Sequence, residues 1–297
     1  MTETESRKQR RFRGIVLILL GGLCLSSGGV IIRSVDHVDP WAILFYRAVG
    51  LVALLILFSI WRHRRGTVAA FRSIGWEGGV MALGLGFGFT CYVFGMLMTT
   101  IANVSFIISA GPLFAALLGW VILGERVRTS TWLVIAGAAT GMGLMFAEGL
   151  SLGGMAGNVV ALGLPFTFGI MLVMIRRVGD RDMVPATCLG GVIAGIIGFV
   201  ASDNLSVTVE DLAILLWLGV GQLGAGFLLL TLGAKYLPAA ETALLALTES
   251  VLAPIWAWLF IAEVPGPLSL IGGLIVLGCV VIEAWKALRE VPATDTT

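Results

Sequence analysis

Six polar or aromatic residues lie inside stretches of this sequence that are otherwise almost wholly apolar. They are Arg47, Tyr92, Ser109, Gln222, Glu249 and Trp258. An ionisable side chain at bilayer depth costs about 2.5–3.5 kcal/mol on insertion scales, so it is expected to face other helices or a cavity instead of lipid. Side chains of these types bind carboxylates, ammonium groups and hydroxyls. They therefore predict a binding site for a small polar molecule inside a membrane.

The two ionisable candidates, Arg47 and Glu249, each admit two interpretations. Arg47 lies six residues into its apolar stretch, about 9 Å along a helix axis. It is either a clamp for an anion or carboxylate near the outer mouth, or a structural side chain that reaches the outer interface or pairs with another residue. Glu249 lies near mid-bilayer. It is either a proton carrier or contact to a cationic group, or a hydrogen-bonded carboxyl that ties helices together.

The four uncharged candidates also keep two interpretations. Ser109 shares a helix face with Pro112, which gives either a polar wall with a gating kink or a contact between helices. Gln222 hydrogen-bonds either a substrate or another helix. Tyr92 and Trp258 lie deep in apolar stretches and either line a cavity or pack between helices. We predict that Tyr92, Ser109, Gln222, Glu249 and Trp258 border one cavity with Arg47 above it, whereas leucines such as Leu55 and Leu274 face lipid.

Nothing in the sequence indicates catalysis. His37 and His63 fall in predicted loops on opposite faces, and none of the four cysteines has the C-x-x-C spacing of a zinc or redox site. No phosphate-binding P-loop is present. We therefore expect no enzyme activity, no cofactor and no metal.

The composition predicts an all-α integral membrane protein. Hydrophobic residues make up 58% of the chain and charged residues 12%, against about 25% charged in a soluble domain. The net charge of +1 gives no field that would attract nucleic acid. The expected partners are the lipid bilayer and a small-molecule substrate, and the helices suit a homodimer as well as a monomer.

Ten apolar stretches are long enough to cross a bilayer as helices. They are residues 14–32, 41–61, 78–98, 102–124, 129–147, 152–175, 183–202, 212–234, 241–262 and 264–283. With the N-terminus in the cytoplasm, 17 of the 19 Lys and Arg residues lie on the inner side. Cytoplasmic loops carry such an excess of basic residues, so both termini are predicted to be cytoplasmic, in the inner membrane.

The two halves of the sequence repeat one another after 138 residues. This shift superimposes Gly88 on Gly226 and Glu125 on Glu263. Five spans per unit is an odd number, so the two units are predicted to be inverted relative to each other. The predicted divisions are a tail (1–13), a first unit (14–147), a second unit (148–285) and a tail (286–297).

Two matching segments of the repeat resemble a known family. The segments read SAGPLFAALLGWVILGER from Ser109 and LTESVLAPIWAWLFIAE from Leu247. With ten spans in two five-span units, they are similar to the EamA family of the drug/metabolite transporter superfamily, over residues 14–285. The resemblance implies a metabolite transporter, often an exporter, with amino acids as a frequent substrate class.

Repeats and resemblance together predict a transporter of small organic metabolites, such as amino acids, that works by alternating access. An exporter is the expected direction. Two alternatives stay open: an integral-membrane enzyme acting on lipid or polyprenyl substrates, and a passive channel. The first would need catalytic polar residues clustered at one interface, and the second would lack saturable exchange.

Overall fold

All regular structure in the described part of the chain is helical. The structure, a computed structural model, describes residues 3–35, 37–124, 129–152, 154–179, 181–234, 236 and 239–289. Glu125 and Arg126 of the repeated motif lie outside these ranges. The prediction of an all-α membrane protein is confirmed by these helices and their apolar sequences.

Fifteen α-helices follow one another in the described residues. They are α1 (Glu3–Ser26), α2 (Gly28–Arg33), α3 (Pro40–His63), α4 (Thr67–Arg72), α5 (Gly75–Met98), α6 (Ile101–Ser109), α7 (Gly111–Leu123), α8 (Thr129–Leu152), α9 (Met155–Ala161), α10 (Gly163–Val178), α11 (Val184–Ala201), α12 (Val209–Trp217), α13 (Ala225–Ala234), α14 (Ala239–Ile261) and α15 (Pro267–Arg289). A 3₁₀ turn (Arg64–Gly66) joins α3 to α4, and a π-helical turn (Leu218–Gly224) joins α12 to α13. Helix therefore extends into both predicted tails.

Seven helical segments in the described residues are long and apolar enough to cross a membrane, or eight if the bent pair α6–α7 is one span. The ninth and tenth predicted spans correspond to shorter apolar helices, Leu245–Ile261 and Pro267–Ile282. The described residues thus show a multi-pass bundle with seven or eight candidate spans by length and composition, and the count of ten stays a prediction.

Several spans are interrupted where the sequence carries proline or glycine. The α6–α7 pair bends by 41° around Ala110, directly before Gly111 and Pro112. A proline lacks the N–H that continues a helix, and its ring clashes with the preceding turn. The kink expected at Pro112 is therefore present, whereas Pro254 lies within the continuous helix α14.

A close crossing of two glycines sets the distance between α3 and the π-helical turn. A Cβ on Gly50 would lie 2.9 Å from the Cα of Gly219, and a Cβ on Gly219 would lie 2.7 Å from the Cα of Gly50. Real Cβ atoms do not approach neighbours so closely, so both positions need glycine. Small residues allow such backbone contact between membrane helices.

Leu55 corrects one expectation from the sequence. It was expected to face lipid, but it is only 2% exposed, whereas Leu274 is 59% exposed. Arg47, Leu51 and Leu55 follow one another at four-residue spacing, and all three are buried. They form the inward stripe of α3, because residues four apart share a helix face.

Candidate functional site

Arg47 lies at the centre of the bundle and is almost fully buried. The helix α3 starts at Pro40, whose preceding residue Asp39 caps it by accepting a hydrogen bond from the backbone N–H of Trp41 at 3.1 Å. Two turns further on, Arg47 is 1% exposed, so its guanidinium does not extend to the interface. Burial of an ion in an apolar interior is costly unless neighbours compensate the charge.

Gln222 is the first neighbour that compensates the buried charge of Arg47. It lies in the π-helical turn, which the Gly50–Gly219 crossing holds against α3. Arg47 Nη2 donates to Gln222 Oε1 at 3.1 Å, and Gln222 Nε2 donates to the carbonyl of Leu25 at 2.9 Å. Single π-helical turns inside α-helices occur frequently at functional sites. Here the turn joins α3 to α1 through one amide side chain.

Tyr92 is the second neighbour. The guanidinium carbon of Arg47 lies 4.5 Å from the centroid of the Tyr92 ring, within the range of a cation–π interaction. Gly28 provides the space for this arrangement, because a Cβ there would collide with the Tyr92 hydroxyl and the Gln222 amide. The absence of a side chain at Gly28 therefore allows Tyr92 and Gln222 to approach α2.

Glu249 supplies the opposite charge. It lies in α14 and interacts electrostatically with both Arg47 and Tyr92. The helix α14 packs on α1, since a Cβ on Gly22 would lie 3.5 Å from the backbone nitrogen of Glu249. We call Arg47, Tyr92, Gln222 and Glu249 the Arg47 cluster. Four of the six sequence-predicted site residues are thus brought together.

The Arg47 cluster has unused hydrogen-bonding capacity. Arg47 Nε and Nη1 are buried and donate to no atom of the described residues. A guanidinium presents its N–H groups in a planar fork that matches a carboxylate. A carboxylate against this fork, with a positively charged group towards Glu249, would satisfy both charges. Arg47, Tyr92 and Gln222 are buried, whereas Glu249 is partly exposed.

Ser109 and Trp258 do not join the Arg47 cluster in this structure. Ser109 is buried at the kink between α6 and α7, where its hydroxyl donates to the carbonyl of Phe106 at 2.6 Å. Trp258 is 60% exposed and lies on the exposed stripe of α14 with Val251, Ile255 and Leu259. Trp256 instead turns inward, and its Nε1 donates to Ser26 Oγ at 3.0 Å.

A second group of polar residues was not predicted as a site. Thr99 Oγ1 donates to Asn158 Oδ1 at 2.7 Å, Asn103 Nδ2 donates to the same oxygen at 3.1 Å, and Asn158 Nδ2 donates to the Met145 carbonyl at 3.2 Å. The isolated asparagine in the apolar run after Met155 was the available signal for Asn158.

An ion pair lies beside this network. Arg33 Nη1 is 2.8 Å from Glu263 Oε2, and the same guanidinium donates to the carbonyls of Met96 and Thr99. Glu263 Oε1 also accepts the backbone N–H of Ile101 at 2.6 Å, at the start of α6. The pair therefore links α2, α5, α6 and the segment after α14, at the end of the bundle that the basic residues predict to be outer.

The two histidines belong to surface pairs. His37 Nε2 lies 3.2 Å from Asp211 Oδ2, and His63 Nε2 lies 2.8 Å from Asp182 Oδ2. Among the described residues, no group of three or more His, Cys, Asp or Glu side chains has the arrangement of a metal site.

These features define a multi-pass helical membrane protein with a buried charged cluster where several spans meet. The EamA-like transporter family matches residues 12–147 and 155–283. The chain therefore belongs to the EamA-like transporter family, as the resemblance implied.

Relatives in this family are named as transporters, not as enzymes. An uncharacterised transporter, YdfC of Bacillus subtilis, is 25% identical over 88% of this chain and 87% of its own length. The pseudopaline exporter CntI of Pseudomonas aeruginosa is 25% identical over 92% of this chain and 96% of its own length. A crystal structure with 18% sequence identity has the same fold, with a TM-score of 0.65 over 95% of this chain and 99% of the other.

Proposed function

We propose that this protein exports small organic metabolites such as amino acids across the inner membrane by alternating access, and that the Arg47 cluster is its central substrate site. The observation that carries the proposal concerns the buried guanidinium of Arg47. Its Nε and Nη1 atoms donate no hydrogen bond to any described residue. A membrane-buried ionisable residue is by default a functional one. The substrate carboxylate binds Arg47, and its amine binds towards Glu249.

Two further observations support the transport cycle. The family matches two successive segments of the chain, which fits two units of common origin. Our proposal makes these units inverted, so that they rock about the Arg47 cluster and expose it to either side in turn. CntI is named as an exporter, which supports export as the direction.

Counterflow in proteoliposomes tests the proposal. The purified full chain is reconstituted, loaded with an unlabelled amino acid and assayed for uptake of the labelled one. We expect saturable exchange for at least one amino acid, loss of exchange in Arg47→Gln, and normal exchange in the lipid-facing control Leu274→Ala. Non-saturable flux would indicate a channel. Absence of flux for a broad panel of metabolites would refute transport by this chain.

Glu249 allows a proton-coupling test in the same vesicles. If Glu249 carries a proton, Glu249→Gln removes the response of transport to an imposed pH gradient. If Glu249 only contacts the substrate amine, the variant loses affinity for amines and keeps its response to pH. Transport at the normal rate with normal pH dependence would exclude both roles.

A further inference from the structure

The first membrane span is broken at Ser27, beside the Arg47 cluster. Its two parts are α1, which ends at Ser26, and α2, which begins at Gly28. The hydroxyl of Ser26 donates to the carbonyl of Leu23 at 2.8 Å, and the hydroxyl of Ser27 donates to the carbonyl of Cys24 at 2.8 Å. Hydroxyl bonds of this kind to the preceding turn compete with the helix and often bend it. Two consecutive serines therefore favour a break at this point of the span.

Two other spans hold the end of α1 in place. Gln222 Nε2, in the π-helical turn, donates to the carbonyl of Leu25 at 2.9 Å. Trp256 Nε1, in α14, donates to Ser26 Oγ at 3.0 Å. Three successive carbonyls at the end of α1 thus accept side-chain donors, and one of these donors belongs to the Arg47 cluster. The end of α1 is therefore anchored to the cluster, and α2 begins directly beyond this anchor.

The short helix α2 connects the Arg47 cluster to the ion pair at the predicted outer end. Its first residue, Gly28, packs against Gln222, because a Cβ there would lie 2.7 Å from Gln222 Nε2. Its last residue, Arg33, forms the ion pair with Glu263. The six residues of α2 span about 9 Å of helix. Rotation of α2 about the break therefore moves Arg33 relative to Glu263.

The start of α6 lies directly under α2. A Cβ on Gly29 would lie 2.9 Å from the side chain of Ile101, and Ile101 is fully buried. Since α2 covers this side chain, a displacement of α2 would expose it. The solvent accessibility of position 101 therefore reports where α2 lies.

We propose that Gln222 is a positioning residue of the transport cycle, because its amide fixes the break in the first span and so keeps α2 over the start of α6. Arg47 Nη2 donates to the same amide at 3.1 Å, so a substrate that binds Arg47 changes how Gln222 is anchored. When Gln222 releases the carbonyl of Leu25, α2 rotates about Ser27 and the outer end opens. The place of this step in transport rests on the proposed function, whereas the movement of α2 needs no substrate.

Thiol labelling at position 101 tests this role without a substrate. Ile101→Cys is made in a chain whose native cysteines are replaced by alanine, and the protein is reconstituted in lipid nanodiscs, where a maleimide reaches both faces. When α2 opens and closes faster than the thiol reacts, the labelling rate is proportional to the open population. Gln222→Met has a side chain of similar length and makes neither hydrogen bond. It should raise the rate about threefold to tenfold, as expected for one lost hydrogen bond.

Two controls separate movement of α2 from general loosening of the bundle. Thr231→Val removes a side-chain hydrogen bond to a backbone carbonyl of the same span as Gln222, and it should leave labelling of Ile101→Cys unchanged. Ile18→Cys is a second reporter, because Ile18 lies before the break and is fully buried against Gly233. Its labelling rate should not respond to Gln222→Met. Faster labelling of both thiols, or of neither, would overturn the proposal.

Gln222→Glu distinguishes the two hydrogen bonds of the amide. A carboxylate pairs with the guanidinium of Arg47 more strongly than an amide does, but it has no N–H to donate to Leu25. Labelling of Ile101→Cys should therefore rise in Gln222→Glu as it does in Gln222→Met. A rate equal to that of the parent chain would reduce Gln222 to a structural contact of Arg47 and would contradict the proposal.

Arg47→Met tests whether the substrate site acts on the break. It removes the donor to Gln222 and leaves the bond from Gln222 to Leu25, so labelling of Ile101→Cys should rise about twofold to threefold. An unchanged rate would show that Arg47 does not act on α2 through Gln222, and the proposal would be wrong.

Ser27→Ala tests the break itself and does not depend on the folding of variants at Gln222. Alanine favours a continuous helix and lacks the hydroxyl, so labelling of Ile101→Cys should slow about twofold. A rate equal to or above that of the parent chain would contradict a hinge at Ser27. If no metabolite is transported but these rates change as expected, the proposed function fails and the positioning role of Gln222 stands. Transport with unchanged rates gives the reverse result.

Discussion

Arg33 Nη1 lies 2.8 Å from Glu263 Oε2, and this ion pair joins the first span to the segment that follows α14. The side chains are 29% and 12% exposed, so water screens the pair only partly. Both partners have further anchors: Arg33 on the Met96 and Thr99 carbonyls, and Glu263 on the N–H of Ile101. Two charges and three backbone groups therefore tie α2, α5, α6 and the segment after α14 together at this end of the bundle, and under the proposed transport cycle they would keep it closed.

Glu263→Gln should weaken this closure. A hydrogen bond to a charged group contributes about 1.5–3 kcal/mol, so loss of the charge should raise the open population about tenfold or more. Ser105→Cys is a suitable reporter, because Ser105 is only 3% exposed and lies in α6. Labelling of this thiol by external maleimide should accelerate about tenfold. Glu210→Gln, at an exposed carboxylate in α12, should leave the rate unchanged. Equal rates in both variants would contradict a closing role.

The sequence was sufficient to predict the Arg47 cluster because its members are polar residues in apolar helices. Such residues must satisfy one another in the interior. Trp258 was predicted with the same argument and lies on the exposed stripe, while Trp256 faces α1. Residues two apart point to nearly opposite sides of a helix. An all-apolar helix does not reveal its inward side, because its aromatic residues suit lipid and protein contacts equally.

The network of Thr99, Asn103 and Asn158 and the contact of Glu148 with α15 could not be predicted from the sequence for a different reason. Thr99 and Glu148 directly follow the predicted spans 78–98 and 129–147, and polar residues at span ends are normally solvated. Only the tertiary arrangement shows that Glu148 accepts from α15 and that Asn158 joins three helical segments. A polar residue at the end of a span does not show in the sequence which residue it contacts, because its partner lies far away along the chain.

Gly28→Ala tests the packing of the Arg47 cluster. The added methyl group would collide with the Tyr92 hydroxyl and the Gln222 amide, so both side chains must move. Such overpacking costs about 1–3 kcal/mol. We expect transport to fall at least fivefold. Gly143→Ala is the matched control, because nothing lies within 4 Å of a Cβ at that position. A fall in both variants, or in neither, would contradict the role of Gly28.

Arg47→Gln should separate function from stability. Glutamine can still donate to Gln222, and Glu249 can become neutral by binding a proton once Arg47 is gone, so the melting temperature should change little. Transport should nevertheless fall at least tenfold, because the fork for the carboxylate is lost. Arg47→Lys keeps the charge and should still be impaired. A lowered melting temperature together with normal transport per folded molecule would instead make Arg47 a structural residue.

Asn158→Leu, unlike Arg47→Gln, should lower the melting temperature. Asn158 is fully buried, and its side chain satisfies Thr99, Asn103 and the carbonyl of Met145. Leucine leaves those polar groups unpaired, and each buried unsatisfied group costs about 1–3 kcal/mol. We expect a clear fall in melting temperature in detergent. Asn204→Leu serves as the control and should melt normally. Equal melting of the two variants would mean that water replaces the lost amide.

The orientation of the bundle decides which end is outer, and single cysteines test it. Arg64 directly follows α3 and lies in the loop that is predicted to be cytoplasmic. Ser202 directly follows α11, at the opposite end of the bundle. The excess of basic residues on the Arg64 side predicts that this side is cytoplasmic. In intact cells, an impermeant maleimide should label Ser202→Cys and not Arg64→Cys, and permeabilisation should make both reactive. Labelling of Arg64→Cys from outside would show that the Arg64 side faces outward and that the predicted orientation is wrong. It would place the Arg33–Glu263 pair on the cytoplasmic side, where it would act on substrate entry instead of release.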